Sequence, residues 1–341
     1  SMSMKKSLLI RTDAGPEIGI GHVTRCFALG YAWRERGGDA IFFGTGCEFM
    51  AESMRQAGIR LIRAETAPGS GEDAAATAEL CRNVSCAVLD GYHFGSGFQE
   101  RIRSAGVRLA VIDDYGHLDH YAADIILNQN CYASEELYRA RAPSAQLLLG
   151  TEYALLRPVF SSWSSWEREI PETARKVLIT LGGGNAGGAY VKAVRALSDM
   201  DNPYVRILIG PVHPDRSSVE KEIAGKKEFQ IHGYTEDMPS LLAWADIAVT
   251  AGGSTCWEAA FMGLPSVLIV LADNQERIAD CLDRIGAAIN LGCEAGIREE
   301  NMSRIIKELA CSRESRTRMS RLGRETVDGR GAARAAERLL N

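Results

Sequence analysis

Apolar residues in this chain fall into short unbroken runs, separated by longer stretches in which they recur every three or four positions. SLLIRTD (7–13), DAIFFG (39–44), RLIRAE (60–65), CAVLDGY (86–92), RLAVIDD (108–114) and DIILNQN (124–130) are of the first kind and predict strands. GHVTRCFALGYAWRERG (21–37), CEFMAESMRQAG (47–58), EDAAATAELCRN (72–83) and GFQERIRSAG (97–106) lie between them and predict helices. Around 151–175 the rhythm breaks into prolines, serines and two tryptophans, which predicts a connecting arm. It then restarts. KVLITLGGG (176–184), YVRILIG (204–210), FQIHGYT (229–235), IAVTAGG (247–253), PSVLIVL (265–271) and AAINLG (287–292) predict strands. AYVKAVRALSDM (189–200), EDMPSLLAWAD (236–246), STCWEAAFMG (254–263) and NQERIADCLDRIG (274–286) predict helices, and two long helical stretches finish the chain.

Unbroken apolar strands alternating with helices mean parallel sheets covered on both faces. The expected class is therefore α/β, in two halves that each open with a strand and a glycine turn. The expected divisions are 5–155, an arm at 156–174, a second domain at 175–320 and a terminal helix at 321–341. Open sheets of this kind take ligands at the C-terminal ends of their strands, so a cleft between the halves is the expected active site.

Composition narrows the class. The 341 residues are 46% hydrophobic and 24% charged, with a net charge of −5 and no basic block, which argues against nucleic acid as the main partner. No apolar run approaches the ~20 residues of a membrane span, and no secretory leader is recognisable. The nine cysteines form no C-x-x-C pair, and several lie in apolar segments (Cys86, Cys256, Cys281). They are expected as buried reduced thiols in a cytoplasmic protein.

The candidate chemistry sits where strands meet helices. In DAGPEIGIGHVTRC (13–26), His22 follows Gly19 and Gly21 at the start of a helix. A helix start disfavours the imidazolium, and Arg25 one turn on pushes the same way, so His22 reads either as a neutral general base or as a capping or packing residue. LGGGN (181–185), with Gly183 at its centre, allows a diphosphate to approach the backbone. In TAGGSTCWE (250–258), Gly252 and Gly253 end a strand and Ser254 and Thr255 open a helix. Glu258 is either the far end of a Thr255-x-x-Glu258 capping box or an acceptor for ribose hydroxyls. Asn274 and Gln275 in DNQ (273–275) suit neutral polar recognition, with an N-cap as the plainer role. DGYHF (90–94) and DDYGH (113–117) put Asp90, Tyr92, His93, Asp113, Asp114 and His117 at strand ends, as site or as turn residues. The chain has no Walker lysine loop, no G-x-S-x-G, no H-E-x-x-H, no complete G-x-G-x-x-G and no metal-ligand spacing.

RTDAGPEIGIGHVTRC, VLDGYHF, AVIDDYGHLDHYAADIILNQN and LLGTEYALLRPVF, in that order, resemble the UDP-2,4-diacetamido-2,4,6-trideoxy-β-L-altropyranose hydrolases of pseudaminic acid synthesis and the related spore-coat polysaccharide proteins. HGYTEDMPSLLAWADIAVTAGGSTCWEAAFMGLPSVLIVLADNQ is similar both to these hydrolases and to the peptidoglycan N-acetylglucosaminyltransferase. The resemblance covers roughly residues 7–310. It implies a GT-B type fold, with two Rossmann-like domains facing across a cleft, and water in place of a sugar acceptor. It also implies a small-molecule nucleotide sugar as the partner, with no metal or other cofactor. The family's catalytic histidine matches His22, its sugar-side tyrosine Tyr92, and its amide-bearing helix start Asn274–Gln275. Gly21 would let the backbone approach the sugar. The turn of Gly252, Gly253, Ser254 and Thr255 would hold the diphosphate, Glu258 the ribose, and the segment 232–238, Met238 included, the uracil. The last helix would pack back on the N-terminal domain, as in related two-domain transferases. The expected activity is release of UDP and free sugar, with transfer to an acceptor as the alternative and a non-catalytic nucleotide-sugar binder as the third reading.

Overall fold

The computed structural model describes residues 5–341 and divides the chain into two units, one running to Pro158 and taking in Gly329–Asn341, the other Val159–Asp328. In the first unit β1 (Ser7–Thr12) leads to α1 (Gly21–Glu35), β2 (Asp39–Gly44) to α2 (Ala51–Gln56), β3 (Arg60–Arg63) to α3 (Gly71–Cys81), and β4 (Cys86–Asp90) to α4 (Ser96–Arg103). Then come β5 (Arg108–Ile112), β6 (Ile125–Asn128), the single turn α5 (Glu135–Tyr138) and β7 (Gln146–Leu149). These strands form one seven-stranded parallel sheet in the order β3-β2-β1-β4-β5-β6-β7.

The second unit holds β8 (Lys176–Thr180), α6 (Ala189–Leu197), β9 (Tyr204–Leu208), α7 (Arg216–Ile223), β10 (Phe229–His232) and α8 (Met238–Trp244). It continues with β11 (Ile247–Ala251), α9 (Thr255–Phe261), β12 (Ser266–Val270), α10 (Glu276–Ile285), β13 (Ala288–Cys293), α11 (Glu299–Cys311) and α12 (Arg313–Thr326). Its parallel sheet runs β10-β9-β8-β11-β12-β13. The chain ends in α13 (Gly331–Leu340).

Both sheets have the same logic. Strands are added to one side of the first strand and then to the other, so the order reverses between β1 and β4 and between β8 and β11. Loops leaving neighbouring strands at such a reversal go to opposite faces and open a crevice at the strands' C-terminal ends. The strands on each side of these reversals are buried throughout, apart from the first residues of β1 and β8, as a sheet covered on both faces requires.

α1 buries Val23, Cys26, Phe27 and Trp33 against the first sheet, and Ala335, Ala336 and Leu339 of α13 join the same cluster. Arg334 donates to the Glu152 carbonyl at 2.8 Å, and Arg108 to the Leu339 carbonyl at 3.0 Å. Arm residues from Val159 onward lie on the second unit. Phe160 packs edge-on to Phe261, and the half-buried Arg168 guanidinium donates to the carbonyls of Leu242, Ala245 and Met262.

The structure adds elements that the periodicity did not give: β7, α5 and α7. The end of the chain is three helices, not two stretches, because the Ser312 side chain caps a new helix by accepting from Ser315 N–H at 3.1 Å. The cysteine expectation needs two corrections, the first at Cys281, which is disulfide-bonded rather than a reduced thiol. Cys26, Cys47, Cys81, Cys86 and Cys256 are free and buried, but Cys293 and Cys311 are free and exposed. Among the described residues no helix is long and apolar enough to cross a membrane.

Candidate functional site

In the first unit the site is built at the β1/β4 reversal. After Thr12 and Asp13 the chain forms a closed tip in which Gly15 and Gly19 exchange backbone hydrogen bonds of 3.3 and 2.7 Å. Gly19 has φ +79°, which an L side chain rarely adopts, so the tight return to α1 depends on it. The tip delivers Gly21 and His22 as the first two residues of α1, whose N-cap, Ile20, offers no side-chain cap.

His22 Nδ1 lies 2.7 Å from Oδ1 of Asp90, the last residue of β4. A carboxylate only accepts, so Nδ1 is the donor and carries the proton. Arg25, one turn on, donates Nε to Asp90 Oδ2 and Nη2 to Asp90 Oδ1, both at 2.7 Å. The same guanidinium reaches Asp114 at 2.8 and 3.0 Å. Asp114 accepts the Tyr92 hydroxyl at 2.7 Å and the Asn130 amide at 3.0 Å. The Tyr92 ring stands edge-on to His22, with centroids 5.0 Å apart, and also touches Tyr115 and His117.

The electrostatics follow from this packing. Burial opposes the ionisation of Asp90, but Arg25 and the His22 hydrogen bond outweigh it and hold the carboxyl well below the usual carboxylate range. Burial likewise opposes ionisation of Asp114, yet Arg25 keeps it low. Burial, with Asp114 alongside, pushes the Tyr92 phenol far above its ordinary value, so it stays a neutral donor. The helix start and Arg25 are not the only neighbours of the His22 ring, and its nearest charge is Asp90. Asp90 touches the ring directly, and Arg25 is committed to two carboxylates.

The other strand-end residues fall into two separate sets. His93 Nε2 bonds Asp13 Oδ2 at 2.7 Å, and Asp13 in turn is held by the fully buried Arg11, which also grips Asp73. Asp113 accepts from Gly116 N–H, Tyr121 and Tyr138, with His117 Nδ1 at 3.3 Å, the partners of a structural turn. Asp90, Tyr92 and Asp114 therefore join His22, while His93, Asp113 and His117 do not hydrogen-bond to it. Arg25 and Asn130 were not read as site residues from the sequence.

In the second unit the matching reversal places two glycine turns side by side, after β8 and after β11. Gly182, Gly183 and Gly184 are exposed, and His213 Nε2 fixes the turn by donating to the Gly184 carbonyl at 2.9 Å. After β11, a Cβ on Gly252 would stand 3.0 Å from the Gln275 carbonyl oxygen, a tight approach that Gln275 would have to relieve by a few tenths of an ångström, whereas Gly253 faces open space. Ser254 is the N-cap of α9 and Thr255 its first residue, with no side-chain cap bond. The Thr255-x-x-Glu258 capping box is therefore not formed, because Thr255 already lies inside the helix. Glu258 is buried.

Gln275 stands on the turn before α10, and its amide oxygen accepts Leu271 N–H at 2.9 Å; Asn274 beside it is exposed. Met238 opens α8 and is buried. Among the described residues no group of three or more His, Cys, Asp or Glu is arranged to hold a metal ion.

Comparison with known proteins gives the class first. Residues 178–336 match the glycosyltransferase family 28 C-terminal domain. The whole chain shares the GT-B fold of Acinetobacter baumannii MurG, with a TM-score of 0.71 at 16% identity over 98% of this chain and 99% of that one. Among individual proteins, the chain is 26% identical over 188 residues to the spore coat polysaccharide biosynthesis protein SpsG of Bacillus subtilis, covering 54% of this chain and 55% of that protein. It is 35% identical over 129 residues to the UDP-N-acetylglucosamine--N-acetylmuramyl-(pentapeptide) pyrophosphoryl-undecaprenol N-acetylglucosamine transferase of Exiguobacterium sp., covering 36% of each. The chain thus spans about half the length of SpsG and about a third of the transferase.

Proposed function

We infer that this chain is a UDP-sugar hydrolase, cleaving a UDP-linked diacetamido-trideoxy hexose at its anomeric carbon to give UDP and a free sugar for nonulosonic acid synthesis. The observation that carries the reading is the His22–Asp90 pair at the strand reversal of the first unit. With the proton held on Nδ1, the neutral ring has its lone pair on Nε2, which can take a proton from water. The hydroxide formed bonds to the anomeric carbon as the carbon–oxygen bond to UDP breaks, and the electron pair leaves on the diphosphate oxygen. Tyr92, a neutral phenol beside His22, orients the sugar, and Asn274 acts on its acyl-amino groups.

The second unit binds the nucleotide in this reading. The open backbone of Gly252, Gly253, Ser254 and Thr255, with Gly183 opposite, receives the diphosphate. Glu258 accepts from the ribose, and the backbone at Met238 meets the uracil. Gly21 leaves room at the sugar, and Gln275 braces Gly252 from behind. The match to a glycosyltransferase C-terminal domain supports nucleotide binding in this half, and the likeness to SpsG supports a role in bacterial surface or spore polysaccharide chemistry. No metal is invoked, because backbone N–H groups can take up the charge on the leaving diphosphate.

The same domain match and the likeness to an N-acetylglucosaminyltransferase favour one second reading, transfer of the sugar to an acceptor. One assay separates them. UDP release is followed with the UDP-sugar in water alone, using His22→Ala as control. Release without an acceptor, lost in the variant, is the hydrolase result. Release that waits for an acceptor overturns it in favour of transfer.

A further inference from the structure

Arg25 is the most heavily committed side chain near His22. Its guanidinium makes two bonds to Asp90 and two to Asp114, at 2.7 to 3.0 Å, and the side chain is only 10% exposed. Each carboxylate then serves one member of the site. Asp90 accepts from His22 Nδ1, and Asp114 accepts from the Tyr92 hydroxyl, both at 2.7 Å. The two rings served in this way are in edge contact. We propose that Arg25 is the positioning residue of this site, locking the His22 tautomer and the Tyr92 ring into one unit through two carboxylates. The proposal rests on the reading of His22 as the base.

The chemistry of the groups carries it. Arg25 Nη2 also lies 3.3 Å from His22 Nδ1. Were Nδ1 the acceptor of that contact, its lone pair would face the Asp90 oxygen at 2.7 Å, lone pair against lone pair. A guanidinium on Asp90 removes this alternative by keeping the carboxylate ionised and its two oxygens oriented. Nδ1 then holds its proton throughout, and water's proton can go only to Nε2. The imidazolium so formed remains against Asp90 until it returns the proton to solvent. The planar fork of arginine spans both carboxylates, whereas an ammonium would satisfy one. Groups that orient a metal-bound histidine matter about 10- to 100-fold, and an effect of the same order is expected for a group that orients His22.

The test reads His22 directly. In ¹⁵N NMR of the full-length, substrate-free protein, His22 is expected as a single Nδ1–H tautomer, and an Nε2–H tautomer overturns the proposal outright. In Arg25→Lys the ring is expected to populate both tautomers, with kcat down about 10- to 100-fold and KM little changed. One retained tautomer together with kcat within twofold of wild type overturns it. Should that variant not fold, Asp114→Asn serves. It does not bond to His22, yet through Arg25 it is expected to shift the His22 nitrogen signals, and unshifted signals overturn the coupling. Because the NMR experiment needs no substrate, a failed hydrolase assay sinks the reading of His22 as the base, while the tautomer result still decides whether Arg25 positions the His22 ring.

Discussion

Thr12 and Asp90 are register partners across β1 and β4, and the Thr12 hydroxyl donates to the Asp90 backbone carbonyl at 2.9 Å. This bond pins the end of β4 beside the point where β1 turns toward α1. It fixes the backbone from which Asp90 reaches back to His22, so the pairing of base and carboxylate follows from sheet register.

Removing Asp90 tests the energetic side of this arrangement. Asp90→Ala leaves Arg25 buried with one carboxylate in place of two, and His22 Nδ1 without its acceptor. Breaking a buried ion pair from one side costs about 3–5 kcal/mol. Urea unfolding is expected to show a loss of this size with the slope unchanged, and a loss under 1 kcal/mol would mean that Asp114 alone compensates the buried Arg25 charge.

Acid stability follows from the same groups. The carboxyls of Asp13, Asp90, Asp113 and Asp114 are all held below their ordinary range in the folded chain, against the opposing effect of burial. A depressed folded value means that the folded state binds fewer protons than the unfolded one. The stabilisation is therefore complete above the ordinary carboxylate value of about 4 and is lost as pH falls below it. Stability is expected to change little from pH 7 to pH 5 and to drop steeply between pH 4 and pH 2. A flat or rising profile below pH 4, measured by denaturant titration at each pH, contradicts the assignment.

Much of this fold is legible in the sequence because strands buried on both faces leave unbroken apolar runs, as in CAVLD and IAVTA. QLLL at β7 is only four residues long and gives no comparable signal, and α5 is a single turn. The site is legible only in part. The glycine-framed start of α1 marks His22, but Arg25 meets Asp90 across 65 positions and Asp114 across 89, so no spacing rule could join them. The parallel register does so, setting Thr12 against Asp90 and Asp90 against Ile112, whose chain continues to Asp114. Asn130 was hidden for a related reason. It is buried just past β6, where a polar residue reads as the end of a strand rather than as a ligand of Asp114.

Thiol reactivity separates buried from exposed cysteines. Burial pushes Cys47, Cys81 and Cys86 up to about 12, and Cys26 and Cys256 upward as well. A thiol alkylates as its thiolate, so these five are expected to stay unlabelled by iodoacetamide in the native protein at pH 8. Between the two exposed thiols, Cys293 is held above its ordinary value by the Glu276 carboxylate 3.5 Å away, so Cys311 is expected to label first. Peptide mass spectrometry of native, alkylated protein checks this order, and early labelling of Cys26 or Cys256 would show that the core opens.

The two glycines after β11 make a matched pair for the nucleotide reading. A methyl group at Gly252 would press on the backbone of Gln275 at 3.0 Å, whereas one at Gly253 meets nothing within 4 Å. Gly252→Ala therefore asks the turn or Gln275 to give by a few tenths of an ångström, at a cost of about 1–3 kcal/mol for overpacking. Gly253→Ala leaves the fold intact and only places a methyl on the open side of the turn. If that open side receives a diphosphate, both variants are expected to weaken UDP binding by calorimetry, but only Gly252→Ala lowers the melting temperature. Retained UDP affinity in a fully folded Gly253→Ala would move the diphosphate off this turn, leaving the exposed Gly182–Gly184 loop as the place to look.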